Sequence, residues 1–108
     1  MKFRTHNNGP IDISFTSLQG YIQATRTQLE SVFGAPQDGG GEDKVTTCWD
    51  IKFADGSIAC IYDWKRYEEG APAADEVYSW HIGARHKQVE WTVHDTFREA
   101  LNLSARAA

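Results

Sequence analysis

Between Phe15 and Pro36, the residues Leu18, Tyr21, Ile22, Thr25, Leu29, Val32 and Phe33 recur at offsets 0, 3, 4, 7, 11, 14 and 15. That spacing describes a single helical stripe. Thr16 followed by Gln19 fits a capping box at its start, and Gly34 with Pro36 supplies a stop. The pattern therefore predicts a helix from about residue 17 to residue 33, with Gln23, Arg26, Gln28 and Glu30 on its solvated side.

The period then changes from helical to alternating. In "KVTTCWDIKF", residues 44–53, Val45, Thr47, Trp49, Ile51 and Phe53 share one side and Lys44, Thr46, Cys48, Asp50 and Lys52 the other, the signature of a half-buried strand. The following Asp55-Gly56 pair predicts a two-residue type I′ hairpin turn. With those two residues as the loop, Phe53 faces Ile58, Ile51 faces Cys60, Trp49 faces Tyr62 and Thr47 faces Trp64. This register gathers the large side chains on one face. It also sends Cys48 and Cys60 to opposite faces, where they remain free thiols.

Residues 65–76, "KRYEEGAPAADE", lose periodicity and read as a long connection, while the Gly-rich acidic stretch 37–43, "QDGGGED", reads as a connector. Alternation returns in "VYSWHIG". "VEWTV" is read as a short fourth strand or the lead into a last helix carrying Val93, Phe97, Ala100 and Leu101. With a short strand at "IDISF", the predicted fold class is α+β: residues 1–108 form a single small domain. A three- or four-stranded antiparallel sheet is packed against an N-terminal and a C-terminal helix. Residues 1–9 and 104–108 are expected to be flexible.

Composition narrows the function classes. At 108 residues, 41% hydrophobic and 24% charged, the chain has the size and balance of one folded domain. Its net charge of −4 disfavours sequence-independent binding to nucleic acid, which draws on clustered Lys and Arg. The N-terminus shows no apolar run of signal-peptide length, and nowhere are there about 18 consecutive apolar residues, so no membrane partner is expected. Two cysteines without CxxC spacing fit a reducing compartment, and the cytoplasm of a bacterial cell is the expected location.

Candidate chemistry is sparse. His6, His81, His86 and His94 match no metal-ligand spacing, and neither a metal nor a cofactor is expected. Asp50, Asp63 and His81 would share the polar face if strand "VYSWHIG" lies beside the hairpin, which gives a hydrolase-type acid–base reading. In "DWKRYEE", Trp64, Lys65, Arg66 and Tyr67 combine aromatic and cationic groups typical of binding hot spots. With Arg85 and Lys87 they form the candidate partner-binding set. The same residues carry the alternative of a small nucleic-acid- or nucleotide-binding module, although Asp63, Glu68 and Glu69 offset their charge.

As a set, "SLQGYI", "FGAP", "KVTTCWDIKFADGSIACIYDWK" and "WHIG" resemble a family of small uncharacterised proteins of bacteriophages, prophages and plasmids. Its pattern joins a Leu-Gln-Gly helix to a Trp-x-Ile-x-Phe-x-Asp-Gly hairpin and a Trp-x-Ile-Gly strand. The resemblance covers about residues 16–84 and departs at Ala84, where the pattern has a second glycine. It implies a mobile-element accessory protein and nothing about catalysis; with no enzyme signature in the chain, the expected function is non-enzymatic binding of a host or phage macromolecule, above all a protein. Inhibition of a defence complex such as CRISPR is one use it suggests. A homodimer through an unpaired sheet edge is a further expectation.

Overall fold

The computed structural model describes residues 1–38, 44–64 and 70–107. Its elements are β1 (Phe3–Thr5), a 3-10 turn (His6–Asn8), β2 (Ser17–Ala24), α1 (Arg26–Phe33), β3 (Gln37–Asp38), β4 (Thr47–Phe53), β5 (Ile58–Tyr62), β6 (Tyr78–Ala84) and α2 (Gln88–Ala107). The strands form one antiparallel sheet in the order β1-β4-β5-β6-β2, with β3 also paired to β4. Leu29 and Phe33 of α1 and Val89, Val93 and Phe97 of α2 pack on Ile22, Trp49, Ile51, Ile61, Trp80 and Ile82. Both helices thus cover the same face. The architecture is the expected α+β layer, with six strands among the described residues instead of three or four.

The predicted long first helix is two elements. Residues 17–24 are strand β2, and only residues 26–33 are helical. Thr25 is the true N-cap: its hydroxyl accepts from the Gln28 N–H at 3.1 Å, and the Gln28 side chain accepts from the Thr25 N–H at 2.9 Å. The register of β2 against β6 shifts between Leu18 and Gly20, a bulge that hides the alternation. The predicted strand at residues 11–15 is absent, and the first strand lies instead at Phe3–Thr5, within the stretch expected to be flexible. "VEWTV" belongs to helix α2.

The hairpin slips by one residue from its predicted register. Trp49 pairs with Ile61, Cys48 with Tyr62 and Asp50 with Cys60. Its loop spans three residues, closed by the Phe53 N–H donating to the Ser57 carbonyl at 2.9 Å, with Gly56 at φ 88°. A turn followed by a left-handed glycine replaces the type I′ turn. Asp55 stays at negative φ because its carboxylate accepts from the Ser57 N–H at 2.9 Å and hydroxyl at 2.6 Å. A one-residue slip turns a whole strand over. Ala59, Ile61 and Asp63 consequently face the core, while Ile58, Cys60 and Tyr62 face the other side with Cys48 and Asp50.

The edge strand β2 is protected by α2. Lys87 Nζ donates to the Gln19 carbonyl, and Glu90, paired with Lys87, accepts from the Tyr21 N–H. These two side chains occupy the outward backbone groups at mid-strand, where a second chain would otherwise add. Gly20 is what allows this approach, since a Cβ there would lie 1.7 Å from Glu90 Oε2.

Candidate functional site

The sheet face turned away from the helices carries the aromatic and polar side chains that the fold does not need for its core. His81 of β6 is the hub. Its ring lies 5.0 Å from Tyr21, 5.3 Å from Tyr62 and 5.8 Å from Trp64, stacked on the last at 22°. Burial among these rings lowers the His81 pKa and favours the neutral imidazole, partly opposed by the charge of Asp63. Trp64 is fixed by its backbone, whose N–H donates to the Tyr78 hydroxyl at 3.1 Å. Leu18, Tyr21 and Trp64 remain 45%, 50% and 37% exposed, leaving an apolar surface on a face to which neither helix contributes.

Beside the rings a cleft of about 230 Å³ opens between Ile13, Thr16, Val45, Cys48, Asp50, Cys60, Tyr62 and Trp64. The segment that follows β1 forms one wall. Arg85 holds that segment in place, donating to the carbonyls of Ser14 at 2.8 Å and Asp12 at 3.0 Å. His6 accepts from the Asp50 N–H at 3.3 Å. Asp50 Oδ1 is shut off from solvent and has no hydrogen-bond partner among the described residues.

The register slip places both thiols on this face, correcting the expectation that they emerge on opposite sides. Cys48 and Cys60 are free, and they sit diagonally across β4 and β5. Burial first, and the nearby Asp50 charge, push Cys48 up to about 12; burial, with a smaller push from Asp50, raises Cys60 to about 11. Alkylation of either at pH 8 should run at least about a hundredfold slower than that of an unperturbed cysteine. Because both pKa values lie above their unfolded ones, the native state holds these protons more tightly. That contribution to stability is complete below about pH 8.5 and is lost as pH rises through 11 and 12. Iodoacetamide kinetics followed by mass spectrometry check the first expectation, and alkaline unfolding checks the second.

Of the hydrolase-type set, only Asp50 and His81 share the open face. Asp63 lies on the core side, fully buried, where its carboxylate accepts from the N–H groups of Thr46 at 2.8 Å and Thr47 at 3.0 Å and from the Thr46 hydroxyl. It is a clasp on the entry to β4, so the predicted three-residue cluster does not form. Among the described residues no three His, Cys, Asp or Glu side chains gather as a metal would require. Of the candidate partner-binding residues, Trp64 stands at the cleft, whereas Arg85 and Lys87 are engaged with backbone carbonyls of their own chain. Lys65, Arg66 and Tyr67 lie outside the described residues.

Phe15 is a feature that sequence reasoning missed. Its backbone is left-handed at φ 67° and its side chain is 93% exposed, both costly for an aromatic residue. Nothing in the sequence signals it, because strain arises only once the segment is strapped down by Arg85. Phe15→Gly should raise stability by roughly 0.5–1 kcal/mol in urea unfolding, since little burial is lost and the strain is relieved. No protein-family model, curated protein or solved structure matches the chain. Among the described residues no helix is long and apolar enough to cross a membrane.

Proposed function

We propose that the protein is a non-enzymatic accessory protein of the kind that phages, prophages and plasmids carry, and that it binds a host or phage protein through the open face of its sheet. Interference with a defence complex such as CRISPR in the bacterial cytoplasm is the use its resemblance suggests. One observation carries the binding reading: Tyr21, Tyr62, Trp64 and His81 form a continuous ring cluster on a face that neither helix covers. Exposed aromatic clusters of this kind form the energetic centres of protein interfaces. Two points favour binding over chemistry, namely that the thiols stay protonated and that Asp63 is committed to the core side. A Tyr21→Ala/Trp64→Ala variant tests the proposal by affinity capture from a bacterial host. The wild type should retain a partner that the folded variant loses; recovery of the same partner by both contradicts it.

The nucleic-acid or nucleotide reading has one observation in its favour. Lys2, Arg4 and Lys52 border a second cleft, of about 290 Å³, at the β1–β4 edge. Phosphate contacts there would make binding fall steeply with salt and weaken in Lys52→Ala. Absent or salt-independent binding in fluorescence anisotropy removes this reading.

A further inference from the structure

We infer that the cleft between Asp50 and Trp64 is a slot for one arginine side chain of the protein partner. The inference rests on the reading of the open face as a protein-binding surface and names the group that anchors it. Asp50 Oδ1 is a carboxylate oxygen closed off from solvent and, among the described residues, without a donor. Leaving such an acceptor unpaired is unfavourable, and the native structure keeps few of them without a use. Asp50 also lines the cleft, so a charged donor entering there meets this carboxylate.

The walls select the donor. Tyr62 and Trp64 line it with aromatic surface, Ile13 and Val45 with apolar surface, and the two thiols line the cleft without charge. A guanidinium is planar, weakly hydrated, stacks on aromatic rings and pairs with carboxylates in a fork, whereas an ammonium is compact and strongly hydrated. The Trp64 ring already attracts a cation, since Lys44 Nζ stands 5.6 Å from its centroid. Lys44 is not among the residues lining the cleft, and among the described residues no other Lys or Arg is either.

Size and charge agree with this choice. At about 230 Å³ the cleft is smaller than the ~300–1,000 Å³ typical of small-molecule sites and matches a single side chain. A chain of net charge −4 presenting an unpaired carboxylate complements a basic anchor.

The test titrates the isotope-labelled full chain with N-acetyl-arginine amide, N-acetyl-lysine amide, N-acetyl-citrulline amide and guanosine, read by NMR. The arginine probe should give saturable shifts at Asp50, Tyr62 and the Trp64 indole. Lysine and citrulline should bind at least about tenfold more weakly. Asp50→Asn should abolish the arginine response, and Asp55→Asn, on the exposed turn, should leave it intact. If Asp50→Asn fails to fold, Trp64→Ala decides, with an expected weakening of about fivefold or more. An absent response, equal affinity in the decisive variant, or a preference for guanosine overturns the assignment. No arginine response with capture still dependent on Tyr21 and Trp64 overturns the slot and leaves the binding face standing. Loss of that dependence as well removes both.

Discussion

Replacing Trp49 with alanine is expected to lower the unfolding free energy by about 3–5 kcal/mol, the range for emptying a large aromatic site in a core. Trp49 is fully buried and meets Trp80 edge to face at 5.3 Å, so its loss leaves a void between the middle of the sheet and the helices. Its indole N–H also donates to the Gly34 carbonyl at 2.8 Å. That bond ties β4 to the residue that ends α1. The variant therefore loses both packing and the anchor of a short helix. A domain of this size has roughly 5–15 kcal/mol in total, so much of the folded population's margin disappears. Urea unfolding should show a large fall in midpoint with little change in slope. Trp91→Ala is the internal contrast, because Trp91 is 63% exposed on α2 and its loss should change stability by no more than about 0.5 kcal/mol.

Asp63→Ala should cost about 3 kcal/mol. The carboxylate is fully buried and accepts from three donors at Thr46 and Thr47, two of them backbone N–H groups at the entrance to β4. Removing it strands those donors on the core side of the sheet. Asn at the same place keeps one oxygen and should recover part of the loss. The comparison also separates two roles for Asp63. A clasp predicts that the Asn and Ala variants lose stability in proportion to the bonds removed. Partner capture, measured where the variants are folded, should be unchanged.

What the sequence disclosed followed the strength of each local signal. β4 and β6 were legible from alternation because one face of each is buried and the other only partly so. β5 misled because it lies inside the sheet with Ile58 and Cys60 covered on the second face, giving a nearly continuous buried run. With no alternation to fix it, the register rested on turn type alone. Asp-Gly serves both a two-residue type I′ loop and a three-residue loop ending in a left-handed glycine. The carboxylate bonds of Asp55 to Ser57 favour the second, and these were not visible in the spacing.

The helix misreading has a similar cause. Leu18, Tyr21 and Ile22 satisfy helical offsets because a bulge around Gln19 interrupts the strand period, while Gly20, unfavourable within a helix, is needed for the approach of Glu90. The Thr25-x-x-Gln28 box was present in the sequence and marked the correct start. Of the candidate site, Trp64, His81 and Asp50 were singled out beforehand, His81 and Asp50 for acid–base chemistry. Cys60 and Tyr62 joined them only through the register slip, Tyr21 only through the change from helix to strand, and Asp50 acquired its unpaired oxygen only from the chain folded over it.

We propose this open face, from Leu18 and Tyr21 across His81 and Tyr62 to Trp64 and Asp50, as the surface that meets the partner. Chemical-shift mapping of the labelled protein against the partner recovered by affinity capture tests it most directly. The largest perturbations should fall on Tyr21, Asp50, Tyr62, Trp64 and His81. Perturbations confined to α2 around Trp91, or to the Lys2, Arg4 and Lys52 edge, would contradict it.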